Sequence, residues 1–389
     1  MADGFTSPLF YVKRYKMEKR YKLVAPCLFG IEGILADELR RLEAENVVAE
    51  NGRVFFEGTA EMIARANINS RFAERVLIVL GEFEARTFTE LFDNIKKLPI
   101  EDYVGKKDAF PVKGYSLNST LFSVPDCQSI IKKACVERLK IGHNCQFLPE
   151  TDVKVQFQFS IIKDKVTFMI DTSGRGLHKR GYRAISNDAP IRETLAAAMC
   201  DQAHIYPDTK IYDPFCGSGT ILIEAALMAS KTAPGLRGFF AAEKYSFIPA
   251  TVWQKEREEA YKKVNNEIEF HGYGFDIDPE CVALSKENAK KAGVDKLLTF
   301  KVADVKDFSG FEGRGIVVTN PPYGERLLEI KDAEELYKVM GKKFVQEKGK
   351  KYFVISPHDE FENIFGRPAD KRRKLYNGMI KCQLFMYFK

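Results

Sequence analysis

The sequence predicts an α/β C-terminal half, a doubly wound parallel sheet closed by an antiparallel hairpin, behind an α+β N-terminal half. Three observations carry this. From Ile191 onward, apolar strands alternate with amphipathic helices, the pattern of parallel βα units. Before Ile170 the chain mixes strands and helices with hairpin signals and no parallel-sheet regularity. Between them in kind is a glycine turn, Asp213-Pro214-Phe215-Cys216-Gly217-Ser218-Gly219-Thr220, which joins a strand to a helix and places a small ligand at the strand's carboxyl edge.

The elements follow in order. A strand over Leu23 to Phe29 leads through Gly30 into a helix carrying Ile34, Leu35, Leu39 and Leu42. Val47-Val48 and Val54 to Phe56 flank Asn51-Gly52, the dipeptide suited to a type I′ hairpin turn. A helix over Ala60 to Ser70 completes a first small unit, residues 23–70, behind a basic segment, 1–22. A second unit, 71–170, holds a strand from Arg75 to Phe83 and a helix opened by Thr87 with Glu90 three residues on, the capping-box spacing. It continues with strand Phe110 to Leu117, helix Asp126 to Leu139, and two strands about a Lys-Asp-Lys turn, Val153 to Ile162 and Val166 to Ile170. Residues 171–190, rich in Gly, Ser, Asn and basic side chains, read as a linker, so a chain beginning near Ser186 is expected to fold alone. The third unit, 191–389, has strands Lys210 to Phe215, Tyr273 to Ile277, Leu298 to Val302, Gly315 to Thr319 and Lys351 to Ile355. Helices Thr220 to Ala229, Pro279 to Ala292 and Asp332 to Glu347 fit between them. A hairpin about Asn377-Gly378 ends the chain.

With 389 residues and 45% apolar content, the chain is long enough for about two to three packed domains. A net charge of +6 identifies no partner, but the cations cluster. Lys13 to Lys22 form one group; Arg175, His178, Lys179, Arg180 and Arg183 a second; Arg367 and Lys371 to Lys374 a third. The second group is the candidate nucleic-acid-binding set. The eight cysteines form no Cys-x-x-Cys pair, and no signal or membrane-spanning run is present, which points to a reducing cytoplasmic setting. Cys135, His143 and Cys145 match no zinc spacing, and no metal is expected.

The candidate cofactor site starts at the glycine turn, where Gly217 and Gly219 allow close backbone approach and the helix start at Thr220 offers N–H donors. A dinucleotide fingerprint would need glycine at position 222, which is Leu222, so nicotinamide and flavin cofactors are disfavoured. The second strand ends Asp276-Ile277-Asp278-Pro279. Asp276 can accept from both ribose hydroxyls, while Asp278 suits the cap of the following helix. Asp304, before Val305 at the third strand's end, can accept from an adenine amino group. Together they suit S-adenosylmethionine, whose carboxylate needs donors but no phosphate cradle.

A hundred residues on, Asn320-Pro321-Pro322-Tyr323 follows another strand. An exocyclic amine is a poor nucleophile because its lone pair is delocalised into the ring. Two acceptors, the Asn320 side-chain oxygen and the Pro321 carbonyl, can hold its N–H groups, and Tyr323 offers a stacking face. The chemistry these residues suit is methyl transfer to an amine on a planar base.

Leu177 to Arg183, Ala189 to Ala197, Asp213 to Thr220, Phe275 to Pro279 and Asn320 to Leu327 together resemble the THUMP-domain S-adenosylmethionine-dependent RNA methyltransferases. The similarity is greatest to bacterial 23S ribosomal RNA guanine-N2 methyltransferases. It implies a Rossmann-like class I methyltransferase domain behind a ferredoxin-like unit (23–70) and a THUMP unit (71–170). It further implies that Asp213, Pro214, Gly217, Gly219 and Thr220 shape the cofactor loop and that Asp276, Ile277, Asp304 and Val305 hold nucleoside. Asn320 to Tyr323 would hold the target base, and Ala189 to Leu195 would brush the methionine end. Some members carry a second methyltransferase domain downstream; with the chain ending at Lys389, one activity is expected. The substrate implied is structured RNA, above all large-subunit ribosomal RNA. Transfer RNA guanine-N2 methylation, DNA adenine-N6 methylation, protein-glutamine methylation and a non-catalytic ribosome-assembly role are the alternatives. A DNA reader would be expected to add a target-recognition region.

Overall fold

A computed structural model of the chain describes residues 19–183, 191–324 and 327–388. Lys13, Arg14, Lys16, Ala189 and Pro190 fall outside the described residues. The N-terminal half runs β1 (Tyr21–Pro26), α1 (Glu32–Arg41), β2 (Glu45–Glu50), β3 (Arg53–Gly58), α2 (Ala60–Asn69), β4 (Leu77–Glu84), α3 (Phe88–Lys96), β5 (Val112–Leu117), α4 (Val124–Gly142), β6 (Phe157–Ile162) and β7 (Lys165–Asp171). Its strands form one seven-stranded sheet in the order β2-β3-β1-β4-β7-β6-β5. β4 joins the two units, pairing with β1 on one side and β7 on the other. The two units expected from sequence therefore share a sheet.

Local chemistry explains most element ends. Thr87 and Glu90 form the reciprocal capping box that opens α3. The hairpin at Asn51-Gly52 is not type I′, because Gly52 alone has a left-handed φ, +72°. Both central residues are left-handed instead at the β6–β7 turn, Lys163 (φ +51°) and Asp164 (φ +64°). Asp164 stabilises that turn's surroundings by accepting from Thr120 N at 2.7 Å.

The C-terminal half runs α5 (Glu193–Ala203), β8 (Lys210–Asp213), α6 (Thr220–Ala229), α7 (Ala250–Lys262), β9 (His271–Asp276), α8 (Pro279–Ala292), β10 (Leu298–Val302), β11 (Gly315–Thr319), α9 (Leu327–Lys343), β12 (Lys350–Ser356), α10 (Phe361–Phe365), β13 (Lys371–Asn377) and β14 (Ile380–Tyr387). The sheet order is β10-β9-β8-β11-β12-β14-β13. The first five strands are parallel and β14 is antiparallel to both neighbours, as the sequence predicts. The terminal turn is Gly378-Met379, one residue later than expected, because Asn377 pairs with Ile380 and Gly378 takes φ +64°. Sequence periodicity left α7 unassigned; only Val252, Trp253, Glu256 and Ala260 of its thirteen residues are buried.

One apolar core runs through both halves, from Leu23 and Phe56 through Leu177 and Tyr182 to Leu195 and Leu222. A second packs α9 and α10 against β12 and β14, through Tyr337, Phe344, Phe361 and Phe385. The segment read as a linker is structured where it is described. Asp171 is fully buried, and its Oδ1 accepts from Ser173 N and Gly174 N, both at 3.0 Å. Its Oδ2 faces Arg75 at 2.6 Å. Across the junction, Arg65 pairs with Glu256 of α7 at 3.0 Å and Gly235 N donates to Ile68 O at 2.8 Å.

Candidate functional site

Because β10, β9, β8 and β11 are adjacent and parallel, their carboxyl ends form one crescent. β8 neighbours both β9 and β11, so connections leave it in opposite directions, the switch point where α/β sheets bind ligands. A cavity of 640 Å³ opens there. Pro214, Asp276 and Ile277 line it together with Asp304 and Val305, and so do Asn320, Pro321, Pro322 and Tyr323.

The glycine turn is held from behind. Cys216 N donates to Phe275 O at 2.8 Å, Ser285 Oγ to Gly217 O at 2.6 Å and Asn288 Nδ2 to Ser218 O at 3.0 Å. Gly219 caps α6 at φ +78°, and a Cβ there would sit 3.1 Å from Ser285 Cβ and 3.2 Å from Phe300. Gly217 has φ +50° with nothing within 4 Å of its would-be Cβ, so that side of the loop faces open space.

Asp213, Gly217, Gly219 and Thr220 are not among the residues that line the cavity. Asp213 is buried and accepts from Thr319 Oγ1 at 2.7 Å and Phe215 N at 3.1 Å, tying β8 to β11. Burial pushes its carboxyl up to about 7, with the Asp276 charge adding to the rise and those two hydrogen bonds opposing it. Asp276 Oδ2 accepts from Gly217 N at 2.9 Å and Oδ1 from Asp278 N at 3.0 Å. Each oxygen keeps a further lone pair for a ligand. Asp278 caps α8 through Glu280 N at 2.8 Å, the role expected of it. Asp304 accepts from Lys306 N at 2.9 Å and sits at the cavity's edge. Ile277 is 70% exposed, an apolar face turned to an apolar-lined hollow.

The Asn320 loop departs from expectation in one respect. The Tyr323 hydroxyl donates to Asn320 Oδ1 at 2.5 Å, while Asn377 Nδ2 donates to that hydroxyl at 3.3 Å. The phenol is deeply placed, and a buried hydroxyl takes a partner. One acceptor lone pair of Asn320 is therefore taken and the other remains. Tyr337 OH supports the loop by donating to Pro322 O at 3.1 Å. Asn377, Gly378 and Ile380, from the terminal hairpin, also line the cavity. Sequence marked them only as a turn; the register of β14 against β12 brings them round. Arg192 lines it too, whereas Glu193 pairs with Arg183, Thr194 donates to Glu74 and Leu195 is in the core.

The candidate RNA-binding set divides. Arg180 lies almost wholly buried, donating to Leu177 O at 2.6 Å and Arg71 O at 2.5 Å and facing Glu224 at 3.6 Å. Tyr182 donates to the same Glu224 at 2.9 Å. Burial pushes the Glu224 carboxyl up, against the pull of Arg180 and Arg71. Arg183 donates to Glu193 at 3.1 Å, and His178 lies 2.6 Å from Glu74. These three fasten the halves together because acids meet them inside; Arg175 and Lys179 alone of the five are exposed. The third cluster is partly internal as well: Arg373 donates to Gly30 O at 3.1 Å, and Arg367 to Phe344 O at 2.6 Å.

All eight cysteines are free, and among the described residues no group of His, Cys, Asp and Glu is placed to hold a metal. His143 instead hydrogen-bonds Val104 O at 2.7 Å. No described helix is long and apolar enough to cross a membrane.

A 640 Å³ hollow at a switch point, with acids at two strand ends and an Asn-Pro-Pro-Tyr loop, is the arrangement of an α/β methyltransferase fold. The family described as RMKL-like, methyltransferase domain, matches residues 180–385, the RlmL ferredoxin-like domain residues 22–77 and the THUMP domain residues 85–171. The chain belongs to this family of THUMP-bearing RMKL-like methyltransferases. It is 43% identical over 372 residues to YpsC of Bacillus subtilis strain 168, whose name assigns it RNA methylation provisionally, covering 95% of this chain and 96% of that one. It is 34% identical over 370 residues to the ribosomal RNA large subunit methyltransferase K/L of Psychromonas ingrahamii, with 93% of this chain and 49% of that protein covered. The chain thus spans about half the length of its K/L relatives. The solved structure of SMU.472, described provisionally as a methyltransferase complexed with SAH, superposes with a TM-score of 0.91 at 39% identity, covering 96% and 99% of the two chains.

Proposed function

We propose that the protein transfers a methyl group from S-adenosylmethionine to the exocyclic N2 amine of a guanine in structured RNA, chiefly large-subunit ribosomal RNA, in the cytoplasm. The observation that carries this reading is that one cavity is lined both by Asp276, Ile277 and Asp304 and by Asn320 to Tyr323. The open side of Gly217 and the exposed face of Ile277 fit the cofactor's methionine and adenine parts. The THUMP match and the names of the K/L relatives support RNA as substrate.

When bound, S-adenosylmethionine supplies an electrophilic methyl group on a sulfonium. Asp276 would accept the ribose hydroxyls with the lone pairs left by Gly217 N and Asp278 N. Asp304 would accept from the adenine amine, and Ile277 would offer its ring an apolar face. Asn320 Oδ1 and the Pro321 carbonyl hold the two N–H groups of the target amine, directing its lone pair toward the methyl group. Tyr323 and Asn377 fix the Asn320 side chain through the hydroxyl they share, so the acceptor is oriented before the base arrives.

Nucleoside analysis of large-subunit RNA from cells lacking the protein tests the reading. An N2-methylguanosine should disappear and return with wild type but not with Asn320→Ala. An unchanged N2-methylguanosine content would reject it.

A further inference from the structure

Away from the cavity, a groove of 760 Å³ runs where three parts of the chain meet: Thr151 to Lys154 of the THUMP region, Ser173 to Arg175 of the junction, and Phe239 to Lys244 of the insertion between α6 and α7. Phe239 stands in it with 88% of its surface exposed. Its neighbours are pinned. Gly238 O accepts from Arg257 at 2.5 Å, and Phe240 is buried with its ring stacked on Trp253 at 5.4 Å. Ala241 N and Ala242 N donate to Ser173 O and Thr172 O. An aromatic ring on such a backbone is held outward rather than left loose.

The cations of the groove are equally fixed and equally unspent. Lys154 lies on a bridge to Ala109, and the Arg175 backbone follows Gly174, whose carbonyl accepts from Arg75 at 2.7 Å. Lys154, Arg175 and Lys244 are all exposed, and none has an ion-pair or hydrogen-bonding partner for its side chain among the described residues. Arg180 and Arg183, by contrast, are neutralised inside. The one acid in the groove is Asp152.

We propose that this groove is a second RNA contact, in which an unpaired base stacks on Phe239 while flanking phosphates meet Lys154, Arg175 and Lys244. The inference rests on the RNA reading of the catalytic cavity. A ring with both edges open suits any base, and unpaired cations at its rim suit a phosphate chain, the combination that single-stranded nucleic acid requires. A protein partner's apolar side chain would leave the three cations desolvated without acids. Since all three walls are needed, the groove exists only when the two halves are docked, which gives the buried junction pairs a role in substrate binding.

The test uses the full chain with protein-free large-subunit ribosomal RNA, measuring filter binding across a salt series and methyl-transfer kinetics. Phe239→Ala should raise Kd and KM roughly tenfold while kcat and S-adenosylmethionine affinity stay unchanged, and Phe239→Tyr should restore binding. Replacing Lys154, Arg175 and Lys244 together by Gln should flatten the slope of log K against log salt by about 2. Variants that bind and turn over like wild type would overturn the groove while leaving the RNA reading intact. A wild-type chain that neither binds nor methylates the RNA would overturn the RNA reading, and the groove with it.

Discussion

The carboxyl ends of β8 to β11 and the junction at residues 171–183 both gather charged side chains, and they dispose of them in opposite ways. At the strand ends, Asp276 and Asp304 are anchored by backbone N–H groups and still face a cavity. At the junction, Arg180, Arg183 and His178 meet Glu224, Glu193 and Glu74, and Arg180 is almost wholly buried. The difference lies in what satisfies each charge. A carboxylate held by its own backbone has lone pairs left for a ligand; a guanidinium buried against backbone carbonyls and a carboxylate is out of reach of RNA. Basic residues in a sequence therefore say little until the acids that meet them are located.

The largest expected effect breaks the junction. A chain beginning at Ser186 loses Tyr182 and Arg180 beneath Glu224, along with the apolar core shared across the halves, and should fail to unfold cooperatively in a thermal or denaturant scan. This reverses the expectation of an independent C-terminal half. Within the full chain, Arg180→Ala strips a buried carboxyl of its partner and should cost about 3 kcal/mol or more in chemical denaturation. If Arg180→Ala instead leaves stability unchanged and weakens RNA binding, the contrast between the two regions collapses.

Next in size is the chemical side of the cavity. Asn320→Ala should lower turnover by about a hundredfold or more in a tritiated-methyl assay, with cofactor affinity nearly unchanged. Tyr323→Phe separates roles: it frees the Asn320 acceptor but loosens its orientation, and should retain far more activity than Asn320→Ala. Asp276→Ala should weaken S-adenosylmethionine about tenfold or more by calorimetry, since a hydrogen bond to a charged acceptor is worth about 1.5–3 kcal/mol. An unaltered dissociation constant would put the ribose elsewhere.

The smallest effect sharpens the comparison at a buried acid that is not among the cavity's lining residues. Burial lifts the Asp213 carboxyl to about 7, so between the ordinary aspartate range and that value the folded chain holds a proton that the unfolded chain has released. Its contribution therefore makes stability fall as pH rises from about 4 to 7 and level off above. Asp213→Asn keeps an acceptor for Thr319 and Phe215 N, and should remove that part of the slope in unfolding measured across the range.

The crescent was legible in sequence because each of its residues sits at a strand end marked by local pattern, and parallel order aligns strand ends without further information. α6 begins where Gly219 places it, and α8 runs from the Asp278-Pro279 start to Gly293. The junction was not legible, since Arg180 and Glu224 are far apart in the chain and only tertiary packing pairs them. α7 escaped for a related reason: it packs through few residues, and its buried Glu256 is matched by Arg65 of the other half. The hairpin's share in the cavity required the register of β14, which no local turn signal supplies. The Gly378 turn itself was misplaced by one residue for the same reason.

The most direct test of the central claim is a side-by-side methyl-transfer assay of the full chain on protein-free large-subunit RNA, transfer RNA and duplex DNA, with nucleoside analysis of every product. The account predicts N2-methylguanosine in the large-subunit RNA, absent with Asn320→Ala. N6-methyladenine in the DNA as the main product would contradict it, for the cavity would then serve another amine on another nucleic acid.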